Sequence, residues 1–430
     1  MSEASSVGVV LAAGLGKRMR SPRPKVLVRV AGRSLLDHVL RALDPIPLAK
    51  RIVVVGHGAD AVKAEVATTP RRIEFALQRE QRGTADALAS AEPLLAGFRG
   101  TLVVLYGDTP RIRASALSSL LETHRASGAA ASLLTTEVED PTGYGRILRD
   151  ASGDVADIRE EKDASPSEKA IREINPGIYC FEAPLVFDAL KRIEARNAQN
   201  ELYLTDVVRV LRSMGRKVAA LRWARASDLE GVNDAEDLLA ASRGLRDDIL
   251  ADLITAGVEI VDPDKTYIEA DVEIGAGTVI YPFTCIHSGV RIGRDCKVGP
   301  FSRLREGTVL DDGAEVGDFV ETKNARIGSG TKALHLAYLG DAEIGAGVNI
   351  GAGTITANYD GRKKSRTTIR DRAFVGSGTV LVAPVEVGEE SVVGAGAVVV
   401  RDTRIGAREV YVGIPARKLK DRAAEEGRRP

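Results

Sequence analysis

From Ile268 an aliphatic side chain recurs every sixth residue: Ile274, Ile280, Ile286, Ile292, Val298, Leu304, Leu310 and Val316, then Thr322. The series slips and resumes at Ile327, Ala333 and Leu339, then at Ile344 and Ile350. It resumes last at Ile369 and continues through Val375, Leu381, Val387, Val393 and Val399 to Ile405. Few folds satisfy a six-residue period. It fits a parallel β-helix, in which three hexads make one triangular coil and the aliphatic residues stack inside the prism. Glycine often follows the aliphatic residue, as in Ile274-Gly275 and Val375-Gly376, and serves the tight corners. A break in such a register is a loop, and loops carry function. The breaks fall at 322–327, 339–344 and 356–369, where Glu321, Lys323, His335, Tyr338, Asn358, Tyr359 and Lys364 crowd.

The chain before this repeat is patterned differently. Of 43 glycines, 18 lie in residues 1–256 and 25 in the shorter remainder, which marks a domain boundary. Short apolar runs (Val7–Leu11, Ile52–Val55, Ile73–Leu77, Leu102–Leu105, Ala131–Leu134) alternate with helically spaced segments (Leu35–Leu43, Asp60–Val66, Thr84–Leu95, Ala114–Ala126). That alternation predicts an α/β domain with a mainly parallel sheet and ligands at the carboxyl ends of its strands. Residues 234–256 read as one helix, begun by a capping box of Asn233 and Glu236 and stopped by Gly257. The expected organisation is a domain over 1–232, a linker helix over 233–257 and the repeat over 258–430.

Composition narrows the function. Lys plus Arg number 60 and Asp plus Glu number 60, so the formal charge is zero, which argues against a nucleic-acid partner. No apolar run is long enough to span a membrane. The run Val7–Ala13 ends in glycines and reads as a strand rather than a signal peptide. Three cysteines without C-x-x-C spacing exclude a disulfide framework and a Cys-based zinc site. The expectation is a cytoplasmic enzyme, and the tail Arg417–Pro430 reads as a frayed end.

After the first strand comes Leu11-Ala12-Ala13-Gly14-Leu15-Gly16-Lys17-Arg18-Met19. Met19 replaces the third glycine of a dinucleotide fingerprint, and no G-K-[ST] follows as in a P-loop. Alone, the segment fits a phosphate-cradling turn and a plain strand-to-helix turn equally well. With Pro24-Lys25-Val26-Leu27, Gln78, Gly83-Thr84 and Tyr106-Gly107-Asp108, it resembles the nucleotidylyltransferases that activate sugar 1-phosphates. Further matching stretches are Thr142–Arg146, Glu160, Glu173–Asn175, Asn197–Gln199, Tyr203–Asp206 and Glu230–Asn233. The resemblance implies a Rossmann-like fold that binds UTP. Leu11, Ala12, Gly14 and Lys25 would meet the nucleotide, and Gln78, Gly83 and Thr84 would read uracil. Arg18 and Lys25 would hold the triphosphate, and Gly145, Glu160 and Asn175 would contact the sugar. Asp108 and Asn233 would bind Mg²⁺, a hard cation that takes few protein oxygens. Charge neutralisation and positioning are what such a displacement at phosphorus requires.

Hexapeptide β-helices occur in acyltransferases and as structural modules. His335 stands beside a register break, and a neutral imidazole can take a proton from an attacking amine near pH 7. Glu321 lies 14 residues upstream, near one coil length, as a candidate partner for it. From Leu11 to about Val400 the chain resembles the bacterial family that joins glucosamine-1-phosphate N-acetyltransferase to N-acetylglucosamine-1-phosphate uridylyltransferase. The motifs are Arg303-Leu304-Arg305, Phe319–Lys323, His335 with Tyr338–Asp341, Asn349–Thr354, and Thr356–Gly361 leading to Lys364. The resemblance implies a left-handed β-helix and a homotrimer acting on small molecules, with acetyl-CoA as co-substrate. His335 would be the general base, oriented by Glu321. Arg305, Lys323 and Lys364 would bind the sugar phosphate, with Tyr338 and Asn349 beside the sugar. Ala352, Asn358, Tyr359, Ser377 and Ala395 would face acetyl-CoA. Ala337 stands where the family carries Ser or Thr, and the end, Tyr411–Arg417, is that of generic hexapeptide acyltransferases. The alternative is a monofunctional sugar-1-phosphate nucleotidylyltransferase whose β-helix is structural or regulatory. A scaffold with two decayed sites is the third reading, and Lys25, Asp108 and His335 argue against it.

Overall fold

The computed structural model describes residues 5–19 and 22–421. They form two compact units, 1–244 and 245–430.

The first unit is built on one sheet. Its strands are β1 (Ser6–Ala12), β2 (Lys50–Val55), β3 (Glu74–Leu77), β4 (Thr101–Tyr106), β5 (Ala131–Glu137), β6 (Gly145–Arg149), β7 (Val155–Arg159), β8 (Glu173–Asn175), β9 (Tyr179–Glu182) and β10 (Val218–Arg222). Their order is β3-β2-β1-β4-β9-β5-β8-β6-β7, with β10 beside β5. Pairs β3–β2, β2–β1, β1–β4 and β10–β5 are parallel. Antiparallel β9 enters between β4 and β5, and β6, β7 and β8 extend that edge. The expected apolar runs are all strands.

Strand β1 is buried along its whole length, which is why it reads as an unbroken apolar run. Val7, Val9 and Leu11 join the apolar layer on one face of the sheet, Val10 and Ala12 the layer on the other. The helices Leu35–Ala42, Ala59–Ala67, Thr84–Ala89 and Ala114–Ser127 appear where the spacing places them, the third continued by a 3₁₀ turn over Glu92–Leu95. Because β1 lies between β2 and β4, the winding of the sheet changes direction at β1 and opens a crevice at the strand ends.

The helix Ala235–Thr255 starts on a different cap from the one expected. The Asp234 carboxylate accepts the N–H groups of Glu236 and Asp237, at 3.0 and 3.1 Å, whereas Asn233 turns its side chain elsewhere. Asparagine and aspartate cap about equally well, but the Asn233 side-chain oxygen accepts from Arg18 and Lys25, which leaves the role to Asp234. Gly244 in the helix interior also has a reason: a Cβ there would strike the Arg111 guanidinium.

The second unit is a left-handed parallel β-helix of three sheets, the first of ten strands and the others of eight. Most strands have two residues, and each pairs with the strand one coil further on, as in Val279↔Lys297 and Cys285↔Arg303. The aliphatic residue of each rung from Ile268 to Ile405 is buried, except Ile274, which is half-buried against the same core. Thr356 is a further rung, fully buried, and its hydroxyl donates to the carbonyls of Tyr338 and Gly340. The break at 356–369 is an excursion closed by a bridge between Tyr359 and Lys364 and by Ser365 N–H to the Asn358 carbonyl at 2.8 Å. Residues 417–421 are not frayed. They form a strand antiparallel to Glu409–Val412, and the rest of the tail lies outside the described residues. The three cysteines are free thiols. No helix of the described residues is long and apolar enough to cross a membrane.

Candidate active sites

The crevice of the first unit holds two adjoining chambers. One, of about 500 Å³, is lined by the turn Leu11–Gly16 with Arg18, Lys25, Gln78, Gly83, Thr84 and Asp108. The other, of about 650 Å³, is lined by Tyr144, Gly145, Glu160, Asn175 and Tyr203, among others. Arg18, Thr84, Tyr106, Asp108, Glu201 and Asn233 face both. The N-terminal residues to which the resemblance gives a nucleotide, sugar or metal contact all line one or other of these chambers.

Local conformation explains the turn. Gly16 has φ +58°, and a Cβ there would sit 2.6 Å from that of Lys25, so the glycine lets the lysine cross the turn closely. The Lys25 ammonium is ion-paired with Asp108 and donates to the Asn233 carboxamide oxygen at 3.3 Å; Arg18 reaches the same oxygen at 3.3 Å. Asn233 is held by its own N–H, which donates to Asp237 at 2.7 Å. Gln78 donates to the Gly83 carbonyl at 3.0 Å and to Asp86 at 2.9 Å, fixing its amide against the start of the helix Thr84–Ala89. In the second chamber Thr205 donates to Glu160 at 2.9 Å. Burial pushes the Glu160 carboxyl above its ordinary range, and Asp163 and Asp206 add to the rise against the opposing Thr205 hydrogen bond.

The second unit gathers a cationic cluster at its register breaks. Arg305 donates to Glu321 at 2.8 Å. The ammonium of Lys364, on the excursion, lies close enough to Lys323 to lower the latter's pKa, and Arg305 adds to the effect. Three cations held this close suit a dianionic phosphate. Asp341 accepts from Asn324 at 2.6 Å and from Asn358, tying the excursion to the coil below it. Gly340 stands opposite Lys323. A Cβ on it would crowd the Tyr338 hydroxyl and the Asn358 amide, so these two side chains close over the glycine. His335 is exposed and lies opposite Asp318 on the first sheet, and Asn349 lies between Lys332 and Phe374 on the same sheet. Ala352, Ser377 and Ala395 occupy one corner of successive coils, linked by Gly378 N–H to the Ala352 carbonyl and Gly396 N–H to the Ser377 carbonyl. Tyr359 is exposed, and its hydroxyl donates to the Gly361 carbonyl at 2.8 Å.

A nucleotidyl transferase profile matches residues 7–231. Profiles of bacterial transferase hexapeptides and of the succinyl-transferase hexapeptide repeat match 366–401 and 265–299. The bifunctional protein GlmU of Pelotomaculum thermopropionicum is 46% identical over 411 residues, covering 88% of this chain and 89% of that protein. Those of Shouchella clausii and Pelobacter propionicus are 43% and 46% identical, each over at least 90% of both chains. The chain belongs to the bifunctional GlmU family. It is accordingly a transferase with a nucleotidyl transferase domain and a hexapeptide domain, as the sequence reading has it.

One expected contact is absent. Among the described residues no hydrogen bond joins Glu321 to His335; Glu321 is taken by Arg305. His335 lies on the first sheet, opposite Asp318, and Glu321 on the second, opposite Tyr338, so a spacing of 14 puts the two on neighbouring faces. The sequence reading also passed over Tyr106, Glu201 and Asp341. Tyr106 and Asp341 lie inside quoted motifs, and Glu201 stands two residues before one; that adjacency was the available signal.

Proposed function

We propose that the two units carry out consecutive steps on one amino sugar. The second acetylates glucosamine 1-phosphate with acetyl-CoA. The first transfers UMP from UTP to the N-acetylglucosamine 1-phosphate so formed, giving UDP-N-acetylglucosamine and pyrophosphate for cell-wall synthesis. The observation that carries this reading is the junction of the two chambers at Arg18, Asp108 and Asn233. A nucleotide in one and a sugar phosphate in the other would meet there.

In the first unit the Gly14–Gly16 turn lets backbone approach the phosphates, while Arg18 and Lys25 neutralise their charge. Gln78, Gly83 and Thr84 read the base, and Gly145, Glu160 and Asn175 face the sugar. The fold family implies Mg²⁺, and the residues fit it. The Asp108 carboxylate and the Asn233 carboxamide oxygen already converge on one cation, the Lys25 ammonium. Both are hard oxygen donors. Among the described residues no group of three His, Cys, Asp or Glu side chains forms a metal cage, which agrees with an ion held largely by substrate. Bound there, Mg²⁺ would supply charge neutralisation at the reacting phosphates.

In the second unit Arg305, Lys323 and Lys364 hold the sugar phosphate, with Tyr338 and Asn349 beside the ring. His335 takes a proton from the amine as its nitrogen bonds to the acetyl carbon and the thiolate of coenzyme A leaves. Glu321 serves by holding Arg305. Ala352, Asn358, Tyr359, Ser377 and Ala395 border the acetyl-CoA path. The outward apolar residues Ile355 and Phe374, beside Tyr338 and Asn349, support a homotrimer that covers this wall. The setting is cytoplasmic.

The test is mass spectrometry of one mixture holding the protein, glucosamine 1-phosphate, acetyl-CoA, UTP and Mg²⁺. UDP-N-acetylglucosamine is expected. Its appearance only when N-acetylglucosamine 1-phosphate is supplied would reduce the second unit to a structural role.

A further inference from the structure

From the wall between the two chambers a chain of hydroxyl and amide groups runs inward. Asn175, nearly buried, donates from Nδ2 to the Tyr179 hydroxyl at 2.7 Å, and its Oδ1 accepts the Gly177 N–H at 3.3 Å. The Tyr179 hydroxyl is hydrogen-bonded to that of Tyr106, which is bonded in turn to the Thr84 hydroxyl. Thr84 accepts the Leu204 N–H at 2.9 Å, and the next residue, Thr205, donates to Glu160. Gly177, at φ +84°, leaves room for the Tyr106 ring, where any Cβ would collide. Tyr179 is fully buried, stacked on Phe181 with centroids 5.1 Å apart, and lines neither chamber.

We infer that Tyr179 is a positioning residue for sugar recognition: its hydroxyl fixes which way the Asn175 carboxamide points. With one Nδ2 proton given to Tyr179 and Oδ1 turned to the Gly177 N–H, which takes one of its two lone pairs, the second Nδ2 proton is the donor left to face the chamber. Asn175 therefore presents a donor there, which favours a sugar substituent bearing an acceptor oxygen over one bearing only donors, such as an ammonium. This inference rests on reading the larger chamber as the sugar site. It adds a division of labour: selectivity against the non-acetylated amino sugar is set by a residue that never touches it.

The experiment is steady-state kinetics of uridylyl transfer by the wild type, Tyr179→Phe, Asn175→Ala and the double variant. Tyr179→Phe is expected to raise KM for N-acetylglucosamine 1-phosphate about tenfold, the scale of one buried donor losing its acceptor. KM for UTP should stay at its wild-type value. In the Asn175→Ala background the same change should have no further effect on sugar KM. A purely structural role predicts the opposite, namely additive losses or an equal rise in both KM values, and either overturns the inference. Binding of UDP alone checks that the unit is folded, and binding of UDP-N-acetylglucosamine to Tyr179→Phe must be weakened relative to UDP. Equal weakening overturns the inference. A wild type that transfers no UMP to this sugar overturns the sugar-site reading and the inference with it. A competent wild type beside an unaffected Tyr179→Phe overturns the inference alone.

Discussion

Lys25, Asp108 and Asn233 form one contact, and each is replaceable singly. Asp108→Ala is expected to lower uridylyl transfer at least about 100-fold while acetyl transfer stays at the wild-type rate. Coupled assays for pyrophosphate and for free thiol would read the two. Glu160 makes a sharper case. Its carboxyl is pushed up by burial, so its contribution to stability is complete at acid pH and is lost as pH rises through its folded pKa. Glu160→Gln removes that loss. The variant should melt higher than the wild type at pH 8, match it near pH 4, and make less nucleotide sugar. A variant that melts lower at pH 8 would contradict the assignment. At this scale the sequence is informative where a motif is local, as for Gly14 to Lys25. Tyr179 is silent because its partners, Asn175 and Tyr106, come from different strands, and only the fold puts their hydroxyl and amide groups in line.

The excursion after Thr356 is a short element with its own anchor. Asp360 accepts the N–H groups of Lys363 and Arg362 and pairs with Arg401 at 3.0 Å, which together lower its pKa to about 2. That anchoring is present above the ordinary aspartate range and fails only as pH falls toward 2. Asp360→Ala should leave the β-helix folded but release Lys364. KM for glucosamine 1-phosphate should then rise several-fold, with KM for acetyl-CoA changing less. Equal changes in both would show that the loop positions more than the phosphate contact. Gly340→Ala tests the rung below. A methyl group there would displace Tyr338 and Asn358, so acetyl transfer should fall while circular dichroism keeps its strand signal. The ladder itself is legible except at Thr356, whose rung carries a hydroxyl in place of an aliphatic side chain; elsewhere each hexad obeys a local rule. The relation of Glu321 to His335 is not legible in the sequence, because the two lie on neighbouring sheets and a spacing in sequence carries no face.

The two chemistries occupy separate compact units. Equal amounts of Asp108→Ala and His335→Ala proteins, each unable to complete the sequence, should together make UDP-N-acetylglucosamine from glucosamine 1-phosphate, provided the acetylated sugar leaves its site. Failure of the mixture with both single activities intact would mean that the intermediate is retained. Sedimentation should give three chains of 45.8 kDa. Across the molecule the β-helix was the most legible part and the mixed sheet the least. Strand positions follow from apolar runs, but the antiparallel entry of β9 between β4 and β5 depends on partners far along the chain.

The excursion leaves the ladder after Thr356 and rejoins it at Thr367–Ile369, in step with Ala342–Ile344 below and Val385–Val387 above. The prism is thus indifferent to how many residues the detour contains. Its length and composition can drift, be grafted from a relative or be redesigned without moving a rung. A solenoid of this kind separates what must stay constant from what can be rewritten.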